Sequence, residues 1–103
     1  MAEIRWTVQA QQWLKDIHNY IAQDNSGAAV RVVESIYKRV QTLKRLPEQG
    51  YKYSRYPELD VRILLYGHYR IAYLLKSSTE IYILGVFHGA LDMDRYLFNG
   101  DKK

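Results

Sequence analysis

Residues 61–75 read Val-Arg-Ile-Leu-Leu-Tyr-Gly-His-Tyr-Arg-Ile-Ala-Tyr-Leu-Leu. Two runs rich in branched and aromatic side chains, 61–66 and 69–75, flank Gly67-His68, the spacing of a tight β-hairpin. Ser77-Ser78-Thr79 separates them from a third such run, 81–87, and predicts a second hairpin. These strands are apolar on both faces, more than a sheet with one solvated face would be. One face therefore needs a cover, and the other is either a binding surface or covered by the C-terminal segment.

The cover lies upstream. Ala10, Trp13, Leu14, Ile17, Tyr20 and Ile21 follow helical spacing, with Gln11, Gln12, Lys15, Asp16 and Asn19 facing away. Thr7 is placed to cap this helix, its hydroxyl accepting an orphan backbone N–H. Asp24-Asn25-Ser26-Gly27 is a stop and restart signal, with Asn25 or Ser26 as the second cap. The second helix aligns Ala29, Val32, Val33, Ile36, Val40 and Leu43 on one face and carries Arg31, Lys38, Arg39 and Lys44 elsewhere. Pro47 and Gly50 end it. The short linker imposes an antiparallel helical hairpin.

Residues 3–6 form a candidate strand, 91–97 a last helical turn and 99–103 a flexible tail. The order β-α-α-β-β-β predicts an α+β fold: an N-terminal strand, the helical hairpin, then a three-stranded antiparallel meander in an antiparallel sheet. The reading is a single domain over 1–103.

Composition narrows the function. The 103 residues include no cysteine, which removes disulfides, thiolate metal sites and cysteine nucleophiles. A hydrophobic fraction of 48% with 25% charged residues is that of a folded domain. The N-terminal residues lack a signal-peptide pattern. The longest charge-free run, 81–91, falls short of the roughly 20 residues that cross a bilayer. A cytoplasmic location is expected. Fifteen Lys and Arg against eleven Asp and Glu give +4, which points to an acidic partner, nucleic acid or protein.

Among the histidines, His18 falls beside the apolar stripe of the first helix and His68 in the hairpin turn. His88 stands where the last strand opens into a loop, a position that presents a side chain to a cleft. No Ser-His-Asp arrangement or phosphate loop is legible, and Asp92 and Asp94 near His88 make a poor metal set. No metal or cofactor is expected. Lys38, Arg39, Lys44, Arg45, Lys52 and Arg55, with Tyr51, Tyr53 and Tyr56 interleaved, suit phosphates and unpaired bases, or equally a solvated helix end. Arg62 and Arg70 lie inside apolar strands. A two-residue turn pairs Arg62 with Tyr73 and puts the arginines on opposite faces; a three-residue turn puts both on one face as an anion-receiving surface. For one of them a structural role, bonding carboxylates or loop carbonyls, is expected.

The sequence resembles the RelE/ParE superfamily of toxins from bacterial type II toxin–antitoxin modules. The likeness rests on Ile4-Arg-Trp-Thr, Trp13-Leu-x-x-Ile-x-x-Tyr-Ile21 and Asn25-x-x-Ala-Ala29. It continues through Leu46-Pro-Glu-x-Gly50, Arg62-x-Leu-x-x-Gly67-x-Tyr-Arg-Ile-x-Tyr73 and Ile83-x-x-Val-x-His-Gly89. RelE-like members are ribosome-dependent nucleases that cut messenger RNA with strand cations and a basic or aromatic group near the C-terminus. Here Arg70 falls on the shared sheet arginine, but Ile63 and Leu65 stand where the nucleases carry basic residues. The chain is more similar to the ParE (plasmid stabilisation) branch, whose members poison DNA gyrase; many of them carry an arginine where this chain has Leu91.

The resemblance implies a toxin silenced by a protein antitoxin in an oligomeric complex, with DNA gyrase as target and Arg62, Arg70, His88 and Arg95 as contact residues. The positive charge would then meet the antitoxin and the target in preference to nucleic acid. The alternatives it leaves are a messenger-RNA endonuclease using Arg70 and His88, and an inactive family member.

Overall fold

Two side-chain caps organise the first half of the chain. β1 (Glu3–Trp6) leads into Thr7, whose hydroxyl accepts the Ala10 N–H at 3.0 Å and starts α1 (Val8–Ala22). Asn25 repeats the device at 2.9 Å from the Ala28 N–H, so Asn25 is the cap of α2 (Ser26–Gln41). α2 stops before Pro47 because Thr42–Lys44 tighten into a 3₁₀ turn. The computed structural model describes residues 2–53, 57–89 and 93–97. The expected tail at 99–103, together with Arg55, Tyr56, Leu91 and Asp92, lies outside the described residues.

The second half supplies β2 (Tyr51–Lys52), β3 (Val61–Tyr66), β4 (Tyr69–Ser77), β5 (Glu80–His88) and a short α3 (Met93–Leu97). Their order in one sheet is β1-β5-β4-β3-β2. β3, β4 and β5 make the expected antiparallel meander. The sheet as a whole is not antiparallel, however, because β1 lies parallel to β5, with Ile4 beside Ile81 and Trp6 beside Ile83. Alternation along a strand carries no direction, and parallel pairing needs only a long crossover. Everything between β1 and β5 provides one. β2 was not foreseen either. It is two residues long with both side chains exposed, so it leaves no period to read.

Tyr66 pairs with Tyr69 across the Gly67-His68 turn. Gly67 is the one positive-φ residue among those described, at 56°, and positive φ at the first turn residue alone is the type II′ sign pattern. This two-residue turn pairs Arg62 with Tyr73 and Arg70 with Leu65, so the two arginines face opposite sides. On β5 the register jumps: Ala72 pairs with Gly85 but Tyr73 with Ile83. Leu84 is the extra residue of a bulge. By shifting the alternation one place, the bulge lets Ile81, Ile83 and Val86 all enter one core.

That core joins Ala10, Ile36, Val40 and Leu43 of the helices to Leu64, Ile71 and Tyr73 of the sheet. The opposite face gathers Ile63, Ala72, Phe87 and Met93. Met93 is buried, so the C-terminal segment covers part of this face. Phe87 lies across its own strand, where a Cβ on Gly85 would run into its ring. Tyr20, expected on the buried stripe, is 76% exposed; at the last turns of α1 it overhangs a cleft instead of entering the core.

A buried hydroxyl fixes the return from helix to sheet. Tyr73 donates to the Pro47 carbonyl at 2.8 Å and accepts the Gly50 N–H at 2.9 Å. Burial pushes its phenol above the usual pKa of 10.0, with the Gly50 N–H and the Arg62 charge pulling the other way. Gly50 is held closely, because a Cβ there would lie 2.7 Å from the Ile63 carbonyl oxygen and 2.9 Å from the Tyr73 ring.

Gly50→Ala should cost about 1–3 kcal/mol in urea unfolding, since backbone cannot move aside. Gly67→Ala, with open space around it, should cost only the left-handed backbone term of about 1–2 kcal/mol. Unchanged stability in Gly50→Ala would show that Gly50 is not sterically locked. Tyr73→Phe strands the Gly50 N–H and the Pro47 carbonyl, and should cost about 1–3 kcal/mol. The neutral phenol is the form the fold favours. Its contribution is therefore complete below pH 10 and falls as pH rises above it, where the unfolded chain ionises first. Unfolding measured from pH 8 to 11 should show a shallower alkaline decline in Tyr73→Phe than in the parent chain; identical slopes would contradict this.

Candidate functional site

The four expected contact residues separate into distinct environments. Arg62 turns toward the helix-facing side and is fully engaged with its surroundings. Its Nε donates to Asp60 Oδ1 at 3.0 Å, and its Nη1 donates to the Glu48 and Gly50 carbonyls at 3.0 and 2.9 Å. A planar fork suits this task, since one guanidinium reaches a carboxylate and two turn carbonyls together. Arg62 thus fills the structural role expected for one of the two strand arginines. With Tyr73 it ties the 47–50 turn onto β3 and β4.

Arg70 points to the other face, opposite Leu65 on β3 and Phe87 on β5. His88 pairs with Tyr69, one residue away along β4, and so faces the helix side. Arg70 and His88 therefore occupy opposite faces of the sheet. Arg95 lies exposed in the last turn of α3.

His88 is exposed and forms an aromatic corner. Its ring stacks on that of His68 at 6.3 Å and meets Tyr69 edge-on at 5.7 Å. It lines a cleft of about 450 Å³ with Trp13, Ile17, Tyr20, Ile21 and Tyr69, in which Asp16 is the acidic member. His18 is half-buried on α1 and its Nδ1 lies 3.3 Å from Asn19 Oδ1. It does not join the His68–His88 corner. Among the described residues no three of His, Asp and Glu converge as a ligand set.

On the far side of Trp13 is a second cleft, about 500 Å³, bounded by Thr7, Gln9, Leu84, Phe87, Tyr96 and Leu97. Trp13 meets Phe87 and Tyr96 edge-on, at centroid distances of 4.8 and 5.1 Å. Three elements distant in sequence thus build one aromatic wall. In the sequence Trp13 belongs to the apolar stripe of α1 and nothing marks Tyr96 as its neighbour, because no local period links residues 13, 87 and 96. The only available signal was the apolar character of each.

The basic segment also divides. Arg39 donates from Nε to the Leu65 carbonyl at 3.1 Å and from Nη1 to Gln49 at 2.7 Å, closing the part of β3 that β2 does not reach. Lys52 approaches Asp60 at 3.8 Å. Lys38, Lys44 and Arg45 remain exposed. Both clefts are mainly apolar and aromatic, with Asp16 and His88 as the carboxylate and imidazole members of the first.

A family model described as the ParE toxin of the type II toxin–antitoxin system, parDE, matches residues 4–93. The chain is 35% identical over 85 residues to a Sinorhizobium fredii (strain NBRC 101917 / NGR234) protein named "Putative toxin Y4kP", covering 82% of this chain and 85% of that protein. It is also similar in fold to a chain of the chromosomal ParDE toxin–antitoxin system from P. aeruginosa. That match has a TM-score of 0.67 and 24% identity, and covers 85% of this chain and 96% of the other. The family match spans β1 through the start of α3, including every element of the sheet. The chain belongs to the ParE toxin family of type II toxin–antitoxin systems.

Proposed function

We propose that this toxin acts by binding DNA gyrase without performing chemistry of its own, and that a protein antitoxin keeps it silent. The observation that carries the reading is the separation of Arg70 and His88 onto opposite faces of the sheet. A nuclease would need the arginine to stabilise the developing phosphorane charge and the imidazole to activate the 2′-hydroxyl at the same phosphate. A sheet between them works against that. On that face Ile63, Ala72 and Phe87 are buried, whereas Leu65 is exposed beside the half-buried Arg70, and this pair supports a docking role for the arginine.

In this reading Arg70, His88 and Arg95 are contact residues, and Arg62 acts by holding the 47–50 turn. The antitoxin lays a helix or strand over the partly open sheet face and the helical hairpin, presenting acidic residues to the cations. The complex is oligomeric and cytoplasmic; among the described residues no helix is long and apolar enough to cross a membrane.

The purified chain should inhibit supercoiling by gyrase and leave ribosome-bound transcripts intact. Arg70→Ala and His88→Ala should each raise the half-inhibitory concentration by about 5–30-fold, the effect of losing a central contact. Arg62→Gln should lower stability in urea more than it lowers inhibition by the folded fraction. Cleaved transcripts with unaffected supercoiling would overturn the reading. Unchanged inhibition by both Arg70→Ala and His88→Ala would overturn the residue assignment.

A further inference from the structure

α2 has a core side and a basic side. Ala29, Ile36 and Val40, with Leu43 in the following turn, are buried. Arg31 and Lys38, two helical turns apart, project from the opposite side, and Arg45 follows the 3₁₀ turn on the same side; all three are exposed. At 1.5 Å per residue the ridge runs about 20 Å, with a cation about every 10 Å. Glu34 is the acidic neighbour, yet none of Arg31, Lys38 and Arg45 forms an ion pair with a described residue. By contrast Arg39 and Arg62, on neighbouring surfaces, are held by carbonyls and side chains of the fold.

We propose that this ridge is a sequence-independent contact for the phosphate backbone of duplex DNA. Exposed, unpaired cations on a rigid helix are what counterion release requires, and no apolar anchor is needed. A protein partner would ask for something else, since interface centres are depleted in Lys and rest on desolvated aromatic or apolar anchors. The exposed Val30 and Tyr37 sit about a quarter turn or more away around α2. There Tyr37 faces a groove with Trp6, Leu14 and Val33; Lys38 stands on the rim of an adjoining groove and the exposed Leu46 follows Arg45, so apolar surface flanks the ridge at these points. For this one surface the proposed contact departs from the expectation that the positive charge meets protein partners in preference to nucleic acid. The inference does not depend on gyrase being the target.

The test is fluorescence anisotropy of a labelled, arbitrary-sequence duplex titrated with the full chain from 50 to 200 mM salt. The slope of log affinity against log salt should become shallower by about 2.7 in the Arg31→Gln/Lys38→Gln/Arg45→Gln variant, since each phosphate contact contributes about 0.9. Affinity at low salt should fall at least about 10-fold. A control triple of equal charge loss on other elements, Lys15→Gln/Lys52→Gln/Lys76→Gln, should leave the slope nearly unchanged. Lys38→Gln alone should lower it by about 0.9, which keeps the test decisive if the triple variant unfolds by circular dichroism. Equal losses in both triples would show a net-charge effect, and no salt-dependent binding by the parent chain would exclude a DNA contact. A ridge variant that loses binding to a labelled poly-glutamate peptide but not to duplex would assign the surface to an acidic protein. Each of these overturns the proposal, and none involves gyrase.

Discussion

The Tyr73 ring lies in the core beneath the helices, and its hydroxyl holds both the Pro47 carbonyl and the Gly50 N–H. The turn that carries the chain from the helical hairpin back to the sheet is therefore fixed to the middle of β4. Arg62 adds the Glu48 and Gly50 carbonyls and Asp60, and Arg39 reaches from α2 to the Leu65 carbonyl. Helices and sheet are thus joined by polar atoms, of which the buried Gly50 N–H and Tyr73 hydroxyl would cost free energy if left unpaired. The closeness of Gly50 to Ile63 and Tyr73 follows from the same attachment, since no side chain fits between the turn and the strand.

This attachment uses some of the positive charge and leaves some of it exposed. Arg39 and Arg62 work inside the fold, whereas Arg31 and Lys38 on the back of α2, and Arg45 after the 3₁₀ turn, face solvent. Arg70 lies on the sheet face that α3 partly covers, and His88 on the other. A sequence with a net charge of +4 thus presents several surfaces of different character. That division suits a toxin whose partners approach from more than one side.

Much of this was legible from residue order. The Gly67-His68 spacing gave the hairpin, and Thr7 and Asn25 marked the helix starts because their short oxygens can reach a free N–H two or three residues on. The helical stripes named most of the core correctly. The direction of β1 was not legible, because alternation is the same in parallel and antiparallel strands. Nor was the Leu84 bulge, which has no compositional mark and yet decides which β5 side chains face the helices. The turn register was narrowed to two choices, and the pairing of Tyr66 with Tyr69 selects the two-residue turn. With that choice Arg70 and His88 fell on opposite faces. The Trp13–Phe87–Tyr96 wall depends on three elements that meet only in the folded chain.

The family match covers residues 4–93; the action proposed for the toxin is on DNA topology, through binding to gyrase. The most direct measurement is the topoisomer distribution of a reporter plasmid after the chain is induced without its antitoxin, with transcript integrity followed in the same cells. The account predicts progressive loss of negative supercoiling while transcripts keep their full length. Shortened transcripts from a plasmid of unchanged superhelical density would contradict it.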